Sequence, residues 1–126
     1  MRLLLDAHAF IWWLTADPAL PSTARAKIAA PEGIVLVSAA TIWELAIKAN
    51  LGRLDLGGAD LVAEIPANGF VELPVSARHA EAAGALPRHH DDPFDRMLIA
   101  QAQLEGLTCI TRDPSFAHYD VQTLWA

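Results

Sequence analysis

The chain has 126 residues, 53% of them hydrophobic, and a formal net charge of −6. This length corresponds to one domain, and the apolar content excludes an intrinsically disordered protein. The single cysteine, Cys109, excludes an intramolecular disulfide, and the negative charge argues against non-specific coating of DNA. Every apolar run is shorter than the roughly 18–20 residues of a membrane span. We therefore expect a single soluble, cytoplasmic domain over residues 1–126, with no membrane partner.

Short apolar runs rich in aliphatic and β-branched residues predict strands that are buried on both faces of a sheet. The clearest runs lie at residues 3–5, 34–37 and 107–111, and weaker ones lie at 70–73 and 121–124. Their continuous apolar character, without a polar residue at every second position, favours a parallel sheet.

Helical patterns separate these strands. Ser22 and Ser76 are predicted N-caps, and Gly52 and Gly106 stand where a helix typically ends. Strands that alternate with helices predict a three-layer α/β/α sandwich with a central, mainly parallel sheet. In such sheets, ligands bind beyond the carboxyl ends of the strands. The predicted helices, in chain order, span residues 9–14, 22–30, 40–51, 59–65, 76–86 and 93–105.

Four acidic residues from distant parts of the chain are predicted at that edge of the sheet. Asp6 directly follows the first strand, and Asp113 follows the strand at 107–111. Glu44 lies in the first turns of the helix after the second strand, and Asp95 lies in the first turn of the helix that begins near Pro93. The fold can therefore bring four carboxylates together.

Ordinary structural roles are an alternative for acids at these positions. Asp92 and Asp113 each precede a proline, as N-caps do, and Asp95 could complement the dipole of its helix. Glu44 could pair with Lys48 one turn later. Independent caps need not gather at one edge of the sheet, whereas a metal site requires that arrangement.

Clustered carboxylates need a compensating cation. Two unit charges about 4 Å apart repel by roughly 4 kcal/mol at an effective dielectric near 20. Ligands that are all oxygen favour a hard cation such as Mg²⁺ or Mn²⁺. Two divalent ions would change the formal charge from −6 to −2, since −6 plus 4 is −2. That change makes an anionic phosphodiester a more plausible substrate, with a metal-activated water as the nucleophile.

The segments around these acids resemble PIN-domain proteins and, more narrowly, the VapC-type ribonuclease toxins of toxin–antitoxin pairs. The similarity extends over nearly the whole chain, and the order and spacing of four blocks are more specific than any single acid. The blocks are LLLDAH at 3–8, VSAATIWE at 37–44, DPFDRMLIAQA at 92–102 and TRD at 111–113.

The resemblance implies a Mg²⁺-dependent endoribonuclease that acts as the toxin of a type II toxin–antitoxin system, with Mn²⁺ as the other possible ion. Asp6, Glu44, Asp95 and Asp113 match the family's acidic quartet, and none departs from it. The implied partners are a cognate antitoxin protein, an RNA substrate and a second copy of the chain in a homodimer.

Three further residues are candidates for supporting the pocket. The resemblance places Ser38 and Thr111 near it, although each ends a strand and could bond only to local backbone. Asp92 lies close enough to Asp95 to support an ion, but we favour an N-cap role for it.

The other polar residues near the blocks are less informative. We interpret His89 and His90 as part of a solvated loop, because adjacent residues rarely point at one ion. Arg96 and Arg112 adjoin two of the proposed ligands and could contact RNA phosphate or serve as surface or ion-pair residues.

Trp12 and Trp13 are consecutive on a predicted helix, so their side chains point about 100° apart. They cannot both lie at the centre of one buried stripe. They indicate an apolar surface for an antitoxin segment or a second copy, and burial between helix and sheet is the alternative.

Two other function classes remain open on the sequence. One is a PIN-like RNA- or protein-binding module without nuclease activity, and the other is a metal-dependent phosphohydrolase. A common phosphatase pattern expects a second acid two residues after Asp6, where this chain has His8. A receiver-type phospho-acceptor domain needs a lysine near a late strand end, and the only lysines are Lys27 and Lys48.

Overall fold

The structure, a computed structural model, describes residues 1–30 and 32–126. Its centre is a sheet of five strands, each paired in parallel with its neighbours. The strands are β1 (Arg2–Leu5), β2 (Ile34–Ser38), β3 (Val71–Leu73), β4 (Thr108–Thr111) and β5 (Gln122–Trp125). Their order across the sheet is β3-β2-β1-β4-β5, which puts the first strand at the centre. The predicted parallel sheet is confirmed.

Six α-helices surround the sheet in the described residues, and their predicted positions are largely confirmed. A short 3₁₀ helix at Pro114–His118, outside the six predicted helices, follows the Asp113-Pro114 pair that the sequence offered as a cap. The α-helices are α1 (Ala7–Leu14), α2 (Ser22–Ala29), α3 (Ala39–Asn50), α4 (Leu61–Ala67), α5 (Ala77–Ala85) and α6 (Pro93–Glu105).

The helix ends show where the capping signals hold and where they fail. Ser76 caps α5 as predicted, and Gly106 ends α6 with a φ of 68°, in the left-handed region that favours glycine. The predicted cap at Ser22 is wrong, because Ser22 is already helical and Pro21 occupies the N-cap position without a side-chain bond. Helix α4 begins later than predicted because Asp60 caps it.

The core lies on both faces of the sheet, which gives the three layers. Leu3 and Leu5 face helices α1, α2 and α4, whereas Leu4 faces α6 together with Cys109. Full burial of one such leucine stabilises the fold by roughly 1.5–3 kcal/mol. No helix among residues 1–30 and 32–126 is long and apolar enough to cross a membrane.

The strand register determines which residues meet at the carboxyl edge. Leu5 of β1 is level with Val37 of β2 and with Ile110 of β4. The residues that follow on these three central strands therefore begin the same edge of the sheet. This is the edge at which the sequence predicts the acidic cluster.

Candidate metal centre

Asp6 joins β1 to α1 and is the most deeply buried of the four acids. Its Oδ1 accepts a hydrogen bond of 2.9 Å from the backbone N–H of Ala9, so it caps α1. Burial raises the pKa of Asp6 above its usual value, and the negative charge of Glu44 acts in the same direction, although hydrogen bonds from Ala9 and Thr111 partly oppose them. The helix starts at Ala7 rather than at residue 9, so this cap was missed from the sequence.

Glu44 lies on α3, which follows β2 without a loop. Ser38 caps this helix, with its Oγ accepting from the N–H of Ala40 at 3.0 Å. The Oε2 of Glu44 forms the predicted ion pair with Lys48 Nζ at 3.0 Å. One turn before Glu44, the buried Oγ1 of Thr41 has no hydrogen-bond partner among the described residues. A buried hydroxyl of this kind needs a water or another polar group.

Asp95 lies in the first turn of α6, where Asp92 is the N-cap. The Oδ1 of Asp92 accepts from the N–H groups of Phe94 at 2.8 Å and Asp95 at 3.2 Å, which is the role that we favoured for it. Burial, followed by the charge of Asp92, raises the pKa of Asp95 to about 7, and Glu44 adds to this increase. The charged form of Asp95 is therefore destabilised in this pocket.

Asp113 follows β4 and caps the 3₁₀ helix, as its position before a proline predicts. Its Oδ1 accepts from the N–H of Ser115 at 2.8 Å, and its own N–H donates to Thr111 Oγ1 at 3.0 Å. Partial burial raises the pKa of Asp113, but hydrogen bonds from Ser115 and the nearby His90 outweigh that effect and lower it overall.

His90 connects two of these acids: it lies in the predicted loop, but the expectation that its side chain is solvated is wrong. Its Nε2 lies 2.9 Å from Asp95 Oδ2 and 2.8 Å from Asp113 Oδ2, and 16% of its side chain is exposed. Burial lowers the pKa of His90, but the two carboxylates outweigh burial and raise it. His89 is exposed, with its ring against Tyr119. The two histidines therefore point to different surroundings, and only His90 joins the cluster.

Two of the four predicted acids, Asp95 and Asp113, lie together with His90, and Asp6 and Glu44 are linked to this group through charge effects. The charge of Glu44 acts on both Asp6 and Asp95, and the His90 ring joins Asp95 to Asp113. Ligand atoms of His90, Asp95 and Asp113 all lie within 4.8 Å of one another. A cation placed here would offset the burial and the charge repulsion that raise the pKa of Asp95.

The guanidinium groups of Arg96 and Arg112 donate hydrogen bonds to backbone carbonyl groups. Arg112 donates to the carbonyls of Ala19 and Ala126 and lies 4.3 Å from the centre of the Trp12 ring. Arg96 donates to four carbonyls of the segment before α6. These belong to Ala83, Leu86, Pro87 and His90. Both guanidinium groups are therefore engaged in structural contacts.

Trp12 and Trp13 are both half-buried against the core, which is the alternative that the sequence left open. The Nε1 of Trp13 donates to Asn68 Oδ1 at 3.1 Å. An apolar groove of about 260 Å³ lies between α1 and α4, and neither indole lines it. Its apolar lining consists of Ile11, Leu14, Leu54, Leu56, Ala59 and Leu61.

Residues 3–122 of the sequence match the family described as PIN domain. The chain belongs to the PIN-domain family. Since the match covers nearly the whole chain, the resemblance predicted from the four sequence blocks is confirmed. No curated protein matches the chain significantly.

Several solved structures resemble this PIN domain over nearly its whole length. VapBC2 from Rickettsia felis, bound to a DNA fragment from their promoter, has 13% identity and a TM-score of 0.76, covering 99% of this chain and 98% of that one. FitAcB from Neisseria gonorrhoeae has 24% identity and a TM-score of 0.67, and the match covers 97% of this chain and 96% of that one. A toxin–antitoxin complex from Klebsiella pneumoniae has 20% identity and a TM-score of 0.60, and the match covers 97% of this chain and 95% of that one. These similarities confirm the α/β/α fold.

The donors of this PIN domain fit the divalent cation that family membership implies. Carboxylate oxygens from Asp6, Glu44, Asp95 and Asp113 are the ligand type that hard cations prefer. The unpaired hydroxyl of Thr41 shows that the region is polar and not fully satisfied by protein groups in the described residues. The site can therefore hold a metal ion, whose charge would favour ionised carboxylates.

Proposed function

We propose that this PIN domain is a metal-dependent endoribonuclease and the toxin of a toxin–antitoxin pair. The observation that carries the proposal is the gathering of carboxylates at the carboxyl edge of the sheet, where the pKa of both Asp6 and Asp95 is raised. Such costly charge clusters are typical of functional sites. The structural likeness to the toxin–antitoxin complex from Klebsiella pneumoniae supports the toxin role.

In this proposal, Asp6, Glu44, Asp95 and Asp113 hold Mg²⁺, with Mn²⁺ as an alternative. When bound, the cation supplies an activated water for attack on the RNA phosphodiester and stabilises the charge that develops on the phosphate. The protein holds the carboxylates in fixed positions, because they lie at the ends of β1 and β4 and in the first turns of α3 and α6. Side chains held at such rigid positions keep an ion in a constant geometry.

Ser38 and Thr111 support the site through hydrogen bonds. Ser38 caps the start of α3, the helix that carries Glu44. Thr111 accepts from the N–H of Asp113, and its side chain also bonds to Asp6. Both Ser38 and Thr111 are fully buried. We assign Asp92 the same kind of role, since its cap sets the first turn of α6 and so the position of Asp95.

The antitoxin is proposed to bind the groove between α1 and α4. Its apolar lining suits the hydrophobic side chains of an extended segment, and Asp55 and Glu64 at its border suit basic ones. Trp12 and Trp13 do not line this groove, so the antitoxin segment is proposed to contact the other residues of α1. Leu56→Glu should weaken antitoxin binding by at least tenfold, or about 1.4 kcal/mol, without changing RNA cleavage by the free toxin.

A second copy of the chain is proposed to cover an apolar patch beside the acids. Trp43 is 64% exposed and lies edge-on to Phe94, next to Val75 and Met97. A side chain of this size is costly to expose, so the patch favours an interface. Analytical ultracentrifugation of Trp43→Arg should then give a monomer where the unmodified chain gives a dimer.

The nuclease proposal is tested by measuring RNA cleavage in buffer that contains Mg²⁺ and in buffer that contains a chelator. An unstructured RNA panel, 5′-labelled, is incubated with the purified chain and with Glu44→Gln. We expect internal cleavage that requires the metal and is lost in the variant. Metal-dependent hydrolysis of a small phosphomonoester without RNA cleavage would indicate a phosphohydrolase instead. Binding of RNA without any cleavage would indicate a binding module.

A further inference from the structure

The His90 imidazole occupies a position that the acidic quartet does not explain. Its Nε2 approaches Asp95 Oδ2 at 2.9 Å and Asp113 Oδ2 at 2.8 Å. Two neighbouring ligands of one octahedral ion with bonds of about 2.1 Å lie about 3.0 Å apart. The distances from Nε2 to the two carboxylate oxygens are therefore those expected if all three atoms were ligands of one ion.

The segment that carries His90 is held in place from several directions. Arg96 donates to the carbonyl of His90 at 3.2 Å and to that of Pro87 at 3.0 Å. The Tyr119 hydroxyl donates to Pro87 O at 2.7 Å and accepts from the N–H of His89 at 3.1 Å. Such a supporting shell is what positions the ligands of a functional site.

We propose that His90 is a nitrogen ligand of the metal centre, acting through Nε2 beside Asp95 and Asp113, and that it sets the selectivity of the centre among divalent ions. The inference rests on the proposed function, because it concerns the same cation site. Imidazole favours transition ions such as Co²⁺ and Zn²⁺, whereas carboxylates alone suit Mg²⁺. His90 therefore makes this centre bind transition ions more tightly than four carboxylates would.

Ligation uses the lone pair of Nε2 on the neutral ring. A ring that carries hydrogen on both nitrogens must release the Nε2 proton to solvent when the ion binds, and it keeps the Nδ1 hydrogen. The contact from the N–H of Asp92 to Nδ1 is 3.4 Å, which is long for a hydrogen bond. It therefore does little to hold the ring in the opposite tautomer.

The test is isothermal titration of the whole chain with Mg²⁺ and, separately, with Co²⁺. His90→Gln keeps a polar side chain of similar length, His90→Ala removes the donor, and His89→Gln is the matched control on the exposed neighbour. We expect both His90 variants to lose at least about tenfold in Co²⁺ affinity, comparable to loss of a supporting group. Mg²⁺ affinity should change less than about threefold. The visible absorption of bound Co²⁺ should change in the His90 variants alone.

Each other outcome has a distinct meaning. Co²⁺ binding by His90→Gln that equals that of the unmodified chain would overturn the inference and leave the proposed function intact. Tighter binding of both ions by the His90 variants would also overturn it, because His90 would then compete with the metal. An unmodified chain that binds neither ion would overturn both proposals. Far-UV circular dichroism checks that each variant is folded. If either His90 variant is unfolded, His90→Asn is used in its place.

Discussion

Among the residues that the structure describes, two histidines contact carboxylates, and their surroundings differ. His79 on α5 is buried, its Nδ1 accepts from the N–H of Ser76 at 3.0 Å, and its Nε2 contacts Glu105 Oε1 at 2.9 Å. Since Nδ1 accepts, Nε2 carries the hydrogen and donates it to Glu105. The Nε2 of Gln101 also contacts Nδ1, at 3.3 Å, so both nitrogens of His79 have complementary partners.

At His90 a single nitrogen faces two carboxylates from distant parts of the chain. One N–H cannot satisfy two acids as fully as it satisfies one, and a third charge, that of Glu44, acts on Asp95 as well. The difference teaches that the His79 cluster stabilises the fold by completed hydrogen bonds, whereas the His90 cluster has an excess of negative charge that a cation would balance. Variants in the two clusters should therefore have opposite effects on activity and stability.

The largest expected effect is on catalysis, at the His90 cluster. Asp95→Asn removes one negative ligand, so RNA cleavage and Mg²⁺ affinity should fall by at least about 100-fold, the upper end for a metal-site partner. The melting temperature in chelator should hold or rise, because repulsion within the cluster is relieved. Cleavage assays and thermal melts measure the two effects. Asp91→Asn, at an exposed acid, is the control, and an Asp95→Asn protein that cleaves at the unmodified rate would refute the site assignment.

The opposite signature is expected at the His79 cluster. His79→Ala leaves the N–H of Ser76 and the carboxylate of Glu105 without their partner, which should cost about 1–3 kcal/mol of unfolding free energy. RNA cleavage at a temperature where the variant is folded should be unchanged. Urea denaturation gives the stability, and Arg78→Ala at the exposed neighbour should stay within about 0.5 kcal/mol. Loss of cleavage in folded His79→Ala would remove the distinction between the clusters.

The pH dependence of stability should separate the clusters more finely. The pKa of Asp95 is about 7 in the folded chain against 3.8 normally. Between these values the folded chain keeps a proton that the unfolded chain has lost, so unfolding free energy falls as pH rises from about 4 to about 7. Protonated His90, whose pKa is also raised, adds a loss of stability as pH rises further.

In chelator, the melting temperature should therefore be a few degrees lower at about pH 8 than at about pH 5. Asp95→Asn should reduce this slope, whereas His79→Ala should keep it. A metal-free protein that becomes more stable over this interval would contradict the raised pKa values, since Asp113, whose pKa is lowered, acts only at more acidic pH.

The smallest expected effect concerns Asp92, which borders the His90 cluster but caps α6. Asp92→Asn should be nearly silent, because Asn caps about as well as Asp, and Asp92→Ala should cost roughly 1 kcal/mol with most catalysis retained. Thermal melts in chelator and cleavage rates in Mg²⁺ measure the two quantities. Loss of cleavage in Asp92→Asn at unchanged stability would assign Asp92 to the metal centre instead.

The fold could be predicted from the sequence because its signals are local. Continuous apolar runs such as Leu3 to Leu5 give the strands, and a serine or aspartate before a helical pattern gives several helix starts. The misplaced cap at Ser22 shows the limit: Pro21 takes the N-cap position with its extended backbone, and Ser22 continues into the helix. Local propensity names several acceptable caps, and packing selects one.

The position of the four acids near one edge of the sheet was predictable for a similar reason, since strand ends of a parallel sheet share one edge. His90 was not, because its partners are five and twenty-three positions away and on different elements, as the residue numbers of Asp95 and Asp113 show. Sequence spacing describes residues on one element, whereas the His90 contact depends on how the loop before α6 folds back. The carbonyl contacts of Arg96 that fix this loop have no sequence signature either.

The central claim is that the carboxylate cluster is a divalent-cation site. Its most direct test is the melting temperature of the unmodified chain in chelator, in millimolar Mg²⁺ and in millimolar Mn²⁺. An ion that binds only the folded cluster stabilises it by mass action, so both ions should raise the melting temperature. Identical melting curves in chelator and in both metals would contradict the claim.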